Sequence, residues 1–417
     1  MQWRFKNEEE REKHFSITYA NVPDGTTSIP YAEYRYCESL ISITIPNSVT
    51  SICECAFGKC YSLSNIIIPS SVISIGKYAF EKCSSLTKII IPNSVTSICD
   101  FAFLNCSSLS NIFIANSVTS IGQFAFEKCS SLSKITIPNS VTSIGEGLFV
   151  DCSSLTDCYL PINITEIPPS LFHRCPSLLN ITISNNITEI GLLAFSQCKN
   201  LLNISIPNSV SSIGPFAFCG CNSLTNIVIP NSVSSIGFSV FKSCSLLTYI
   251  TIPNIIEIIG RLVLFGKRIM NSIDLPPSVK YLNNNTFFEH DIDSIFIPDI
   301  ITRINNGVFY YNQQLKFIYI PKSVTSIGDQ VFAGCKNLSN VIMTDSIIEI
   351  GKSAFDGCDS LSKVFLNDTQ KKYGSYCIYG VNVHTHTQCV FHIIRLRLII
   401  WNTPKIFNGD FHFNFFL

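Results

Sequence analysis

Prolines that close an Ile-x-Ile-like alternation recur with a fixed period. Pro46, Pro69, Pro92, Pro138, Pro161, Pro207, Pro230, Pro253 and Pro276 lie 23 residues apart or a multiple of 23. Pro298 follows after 22 residues and Pro321 after a further 23, so one residue is missing between Phe287 and Pro298. An aromatic position keeps the same step: Phe57, Phe80, Phe103, Phe126, Phe149, Phe172, Phe195, Phe218, Phe241, Leu264, Phe287, Phe309, Phe332 and Phe355. A partial unit precedes them around Tyr34 and Cys37. Units this short cannot each close a core. They must stack, so that neighbours share one continuous apolar interior.

The pattern inside a unit says how they stack. In Leu132-x-x-Ile135-x-Ile137-Pro138 the apolar residues alternate, as in a strand whose Ile135 and Ile137 point inward. Val141-x-x-Ile144 places two more β-branched residues inside, as a second short strand. Ala125-Phe126-x-x-Cys129 has the small, aromatic and small spacing of one helical or 3₁₀ turn. Parallel pairing of equivalent strands spaces the coils by about 4.8 Å. A glycine slot (Gly76, Gly122, Gly145, Gly191, Gly214, Gly237, Gly260, Gly328, Gly351) is filled by Asn283 and Asn305 in two coils. Gly and Asn both tolerate a left-handed backbone, which is the expected reason. Cys53, Cys99 and Pro168 hold the same slot, and proline cannot take positive φ, so the turn must differ there.

Composition fits one copied motif. The chain has 31 Phe against 3 Met and 2 Trp, and 19 Cys. With 46% hydrophobic and 14% charged residues, disorder is excluded as the main state. Lys and Arg number 29 and Asp and Glu 29, so the basic surface that a nucleic-acid binder needs is missing.

The unit Ile-Pro-Asn-Ser-Val-Thr-Ser-Ile-Gly-x-x-Ala-Phe-x-x-Cys-Ser-Ser-Leu-x-x-Ile-x-Ile resembles the BspA-like, or Treponema pallidum-type, leucine-rich repeat. The resemblance implies a repeat solenoid: a right-handed superhelix of mostly short parallel strands, with one short helical or 3₁₀ turn per 23-residue coil. It divides the chain into a charged N-terminal arm or cap over residues 1–26, a solenoid over 27–366 that diverges in 254–320, and an atypical cap or tail over 367–417. In the divergent stretch Leu264, Lys267, His290 and Asn312 replace the usual Phe or Cys. Members of the family are known as surface antigens and adhesins, so the resemblance implies a non-enzymatic protein-binding molecule at the cell surface, with host extracellular proteins among its candidate partners. The family shares no catalytic residues.

Eleven cysteines recur with the repeat: Cys60, Cys83, Cys106, Cys129, Cys152, Cys175, Cys198, Cys221, Cys244, Cys335 and Cys358, with Cys37 in the partial unit. They read as a ladder of small buried thiols, since stacked side chains that point the same way suit disulfide geometry poorly. Cys53-Glu54-Cys55 and Cys219-Gly220-Cys221 each offer half a zinc site, but a structural zinc takes four ligands. His384-Thr385-His386, between Cys377 and Cys389, would share a strand face. Gly351-Lys352-Ser353 lacks the first glycine of a phosphate loop, position 347 being Ile. No Gly-x-Ser-x-Gly nucleophile elbow occurs, and no titratable residue recurs at a fixed slot. No enzyme, metal or cofactor is expected.

The chain opens Met-Gln-Trp-Arg-Phe-Lys-Asn and continues into Glu8-Glu9-Glu10-Arg11-Glu12-Lys13, which is not a conventional secretory signal. A cytoplasmic location is the default on that reading, with an intracellular scaffold as the alternative function; the resemblance implies the cell surface instead. Val390 to Trp401 is apolar but too short to span a membrane and contains Arg395 and Arg397.

The residue between the two isoleucines of each first strand faces outward. Over the middle coils this column is largely small and polar, as at Thr136, Thr182 and Ser205. On four consecutive coils near the C-terminal end it is Phe296, Tyr319, Ile342 and Phe365, and Phe317 points the same way as Tyr319. An exposed apolar stripe marks an interface. The occupant is either a separate protein or the tail itself, which carries Phe411, Phe413, Phe415 and Phe416. The oligomeric state is left open by the sequence.

Overall fold

β-Branched residues alternate with polar ones over two short segments of every unit, and both segments form parallel strands. In the computed structural model, residues 15–256, 275–288, 292–344 and 346–361 are described in full, and the strand backbones at 258–259, 270–274, 364–366, 372–373 and 383–385. The first strand of a coil carries the Ile-x-Ile motif. Lys134–Thr136 pairs with Asp157–Tyr159, which sets Ile135 against Cys158. The second is shorter: Ser120–Ile121 lies between Ser97–Ile98 and Ser143–Ile144. The pairing step is 23 residues, so every side chain meets its counterpart one coil away. The chain is a leucine-rich repeat solenoid built from such coils.

The interior is a set of columns. Ile135, Ile137, Val141 and Ile144 are buried, and so are Leu132, Phe126 and Cys129. The aromatic rings stack face to face along the axis, with Phe172 and Phe195 5.5 Å apart and Phe195 and Phe218 5.4 Å apart. That is slightly more than the spacing of paired strands, so the ring column and the strand ladders share one rise. Each buried Phe contributes about 1.5–3 kcal/mol relative to an exposed one.

The expected helical turn is not what the chain forms. Between the glycine slot and the cysteine lies a run of tight turns whose N–H groups alternate in destination. Phe124, Phe126 and Lys128 donate to the next coil, to the carbonyls of Glu146, Leu148 and Val150 at 2.8, 3.1 and 2.8 Å. Glu127 and Cys129 donate locally, each three residues back, at 3.2 Å. A helix would keep all of these bonds inside one coil and leave adjacent coils unjoined on this side. The alternation requires left-handed backbone at non-glycine residues, with φ of 53° at Phe124 and 58° at Lys128. Such a residue costs roughly 1–2 kcal/mol, which the inter-coil bonds offset.

The glycine slot is also explained differently. Its φ is not left-handed; those angles fall two residues later. Glycine is needed because the preceding coil comes close: a Cβ on Gly145 would sit 2.2 Å from the backbone nitrogen of Gln123. Proline is therefore admissible in angle, but it removes a donor. The N–H of Gly145 donates to Ile121 and that of Gly191 to Ile167, both at 2.8 Å. Pro168 has no N–H to give Ile144. At this coil the second-strand ladder is interrupted: one run of paired strands ends at Ser143–Ile144 and the next starts at Glu166–Ile167.

The missing residue is also located. Ser272 pairs with Ser294, a step of 22, while Ser294 pairs with Phe317, a step of 23. Ile292 is buried and stands five residues after Phe287, where other coils place a leucine six residues after the Phe. The shortening thus falls between Phe287 and Ile292. The substitutions Leu264, Lys267 and His290 lie outside the described residues.

Candidate functional site

Side chains alternate across each first strand, so the residue between two buried isoleucines must face out. In the C-terminal coils this brings the proposed residues together. Phe296 pairs with Tyr319, and Tyr319 with Ile342. Phe296 is 57% and Tyr319 36% exposed, and Ile342 and Phe317 are exposed beside them. Inward, Ile295, Ile318 and Val341 are buried, which holds the strands under the stripe to one register. Phe365 sits on the strand Val364–Leu366, paired in parallel with Val383–Thr385; its side chain lies outside the described residues.

The border of the stripe is polar and charge-paired. Lys316 Nζ lies 3.9 Å from Asp293 Oδ1, an exposed contact worth little in stability. The patch itself is neutral, rimmed by polar groups, as the centre of a protein interface is.

A second apolar run was not singled out by the sequence reading. At the N-terminal end the same column holds Ile67, Ile90 and Phe113, and Ile90 pairs with Phe113. Ile67 is 76% and Phe113 60% exposed, more than the C-terminal residues. The signal was present, since these residues occupy the outward slot. Between the two runs the column is mostly hydroxyl-bearing, with Tyr159 and Val228 as exposed exceptions.

The thiol ladder is internal. Cys129 donates to the Phe103 carbonyl at 3.4 Å and Cys152 to Phe126 at 3.1 Å, each 26 residues back. Burial pushes these thiols well above their usual range, and the cysteines of the described coils are free. Such groups are neither nucleophiles nor metal ligands. Among the described residues no three His, Cys, Asp or Glu side chains lie close enough to hold a metal ion. His386 falls outside the described residues, and of His384 only the backbone is described. Among the described residues no helix is long and apolar enough to cross a membrane.

The family model for the BspA type leucine rich repeat region (6 copies) matches residues 12–106, 73–202, 188–316 and 302–390. No curated protein matches the sequence. Among solved structures, the chain is similar to a leucine-rich repeat protein from Bacteroides ovatus, with 28% identity, a TM-score of 0.65, and coverage of 88% of this chain and 92% of that one. It also matches the leucine-rich repeat protein of T. pallidum at 34% identity, with a TM-score of 0.38 over 40% of this chain and 80% of that one. A leucine-rich cell surface protein from Faecalibacterium prausnitzii matches at 27% identity, with a TM-score of 0.47 over 78% and 88%. With its period, its stacked Phe column and its thiol ladder all matched by that repeat model from residue 12 to residue 390, the chain belongs to the BspA-type leucine-rich repeat family.

Proposed function

We propose that the protein is a non-enzymatic binding molecule of the cell surface, adhesin-like, which grips a protein partner through the strand face of its C-terminal coils. The observation that carries this reading is the contiguous exposed stripe Phe296, Phe317, Tyr319 and Ile342 on paired strands; Phe365 continues it in register. Binding energy concentrates in a few desolvated aromatic anchors, and this stripe supplies them on a rigid sheet. Family membership supports the surface location. The thiols are all internal or half-buried, so an oxidising exterior finds few of them to attack.

Labelling of intact cells with a membrane-impermeant reagent tests the location: surface exposure requires the protein to be modified before lysis. The double variant Phe296→Ala/Tyr319→Ala tests the site. It should weaken partner binding by about 2 kcal/mol or more with the fold unchanged, because both side chains face outward. Cells whose protein is labelled only after lysis would favour the alternative, an intracellular scaffold, which the free cysteines also suit.

A further inference from the structure

The middle coils carry a groove that the protein-binding stripe does not use. It has a volume of about 700 Å³ and runs along the axis over three coils, between the outward column of the first strands and the Pro-Asn turns. Ser205, Asn208, Asn226, Val228, Asn231 and Asn254 form much of its wall. Among the described residues the lining contains no charged side chain.

The asparagines are not all spent on the fold. Asn231 Oδ1 accepts the backbone N–H of Asn254 at 3.2 Å, much as Asn139 caps Ile162 at 3.1 Å. The side-chain amides of Asn208, Asn226 and Asn254 make no hydrogen bond to the protein. Three amides thus face the groove with both donors and an acceptor available. Beside them, Val228 and Tyr249 are exposed apolar surfaces, and Val228 pairs with Thr251 within the strand ladder.

We infer that this groove binds a neutral, extended oligosaccharide. A carboxylate or phosphate ligand would find no cation here, and a cationic one no carboxylate. A sugar chain presents vicinal hydroxyls that donate and accept together, the pattern that a free amide answers with its NH₂ and its carbonyl. Its C–H faces suit apolar surfaces such as Val228 and Tyr249. The geometry favours a chain of rings over a single sugar: the amides of the turns repeat at the coil spacing of roughly 5 Å, close to the advance per ring of an extended β-1,4-linked hexose chain. An extended peptide would be read through backbone hydrogen bonds at a strand edge, whereas this groove lies across strands whose ladders are already paired.

Isothermal titration of the full chain with hexamers of β-1,4-linked glucose, β-1,4-linked N-acetylglucosamine and α-1,4-linked glucose tests the inference. At least one β-linked hexamer should bind, and the corresponding dimer should bind at least tenfold more weakly. Asn226→Ala/Asn254→Ala should weaken the hexamer at least tenfold without shifting the unfolding midpoint, because neither amide has a partner in the protein. Phe296→Ala/Tyr319→Ala should leave sugar binding unchanged, so this result is independent of the protein-binding stripe. Absence of binding by all three hexamers would overturn the inference. So would binding that the asparagine variant does not weaken, or an uncharged extended peptide that competes for the groove while the sugars do not bind.

Discussion

The thiol of Cys198 donates to the carbonyl oxygen of Phe172, 26 residues back, at 3.2 Å. That carbonyl also accepts the N–H of Cys175, within its own coil, so both of its lone pairs are used. The relation repeats from coil to coil, and where Asn312 replaces the cysteine its Nδ2 donates to Phe287, 25 residues back. The one-residue shortening of that coil accounts for the changed step. The slot therefore selects a small buried donor as well as a small volume. Cys198→Ala should cost roughly 0.5–1.5 kcal/mol for the lost bond, and Cys198→Ser, which keeps a donor, should cost less. Urea unfolding of the two variants compares them; equal losses would mean that volume alone matters.

The ring column gives a larger effect. Phe195 is fully buried between Phe172 and Phe218. Phe195→Ala should lose about 3–5 kcal/mol through lost burial and the cavity left between rings, read from the denaturant midpoint. A near-unchanged midpoint would contradict the register.

The period, the register and the inward columns were legible from residues because each is repeated: Ile135, Phe126 and Cys129 recur at one slot, and a slot read fourteen times averages out local exceptions. What the sequence hid lies in the backbone. Phe124 and Lys128 adopt left-handed φ, yet neither residue type announces it, since the inter-coil bonds enforce the angle. The glycines signal close approach of a neighbouring coil, and sequence alone does not separate that from a left-handed turn. At the candidate site, Phe296 and Tyr319 stood out as aromatics in an outward slot. The groove at Asn208, Asn226 and Asn254 did not, because a neutral polar residue on a sheet face looks idle until its hydrogen bonds are traced.

Alkaline pH should unfold the protein with unusual steepness. Burial pushes the Cys106 thiol up to about 12 and raises Cys83, Cys129, Cys175 and Cys221 well above the usual thiol range. In the unfolded chain they ionise near 8.5. Above that pH the folded state holds protons that the unfolded state has released, so stability falls as pH rises. The contribution is complete below about pH 8.5 and is lost towards pH 12, at up to about 1.4 kcal/mol per pH unit for each thiol. Urea midpoints at pH 7, 8.5 and 10 should show the decline only in the last interval; a flat profile to pH 10 would place the thiols outside the core.

Pro168 should divide the solenoid kinetically. The second-strand ladder runs unbroken from Ser28–Ile29 to Ser143–Ile144 and again from Glu166–Ile167 to Ser235–Ile236. In stacked repeats stability is a sum over nearest-neighbour interfaces, and this interface lacks a backbone bond. Native-state hydrogen exchange should therefore show two protection blocks that meet at Pro168, and Pro168→Gly, which restores the donor, should merge them. One uniform block in the parent protein would mean that the stacked rings of Phe149 and Phe172, 5.6 Å apart, dominate the coupling.

The central claim, that the C-terminal strand face is where a protein partner docks, is tested most directly by site-specific photo-crosslinking. A photoreactive residue placed in turn at Tyr319, Ile342 and Thr182 keeps the fold, because all three face solvent. In intact cells, positions 319 and 342 should give the same discrete protein adduct and position 182 none. Adducts of equal yield at all three positions, or an adduct at position 182 alone, would contradict the claim.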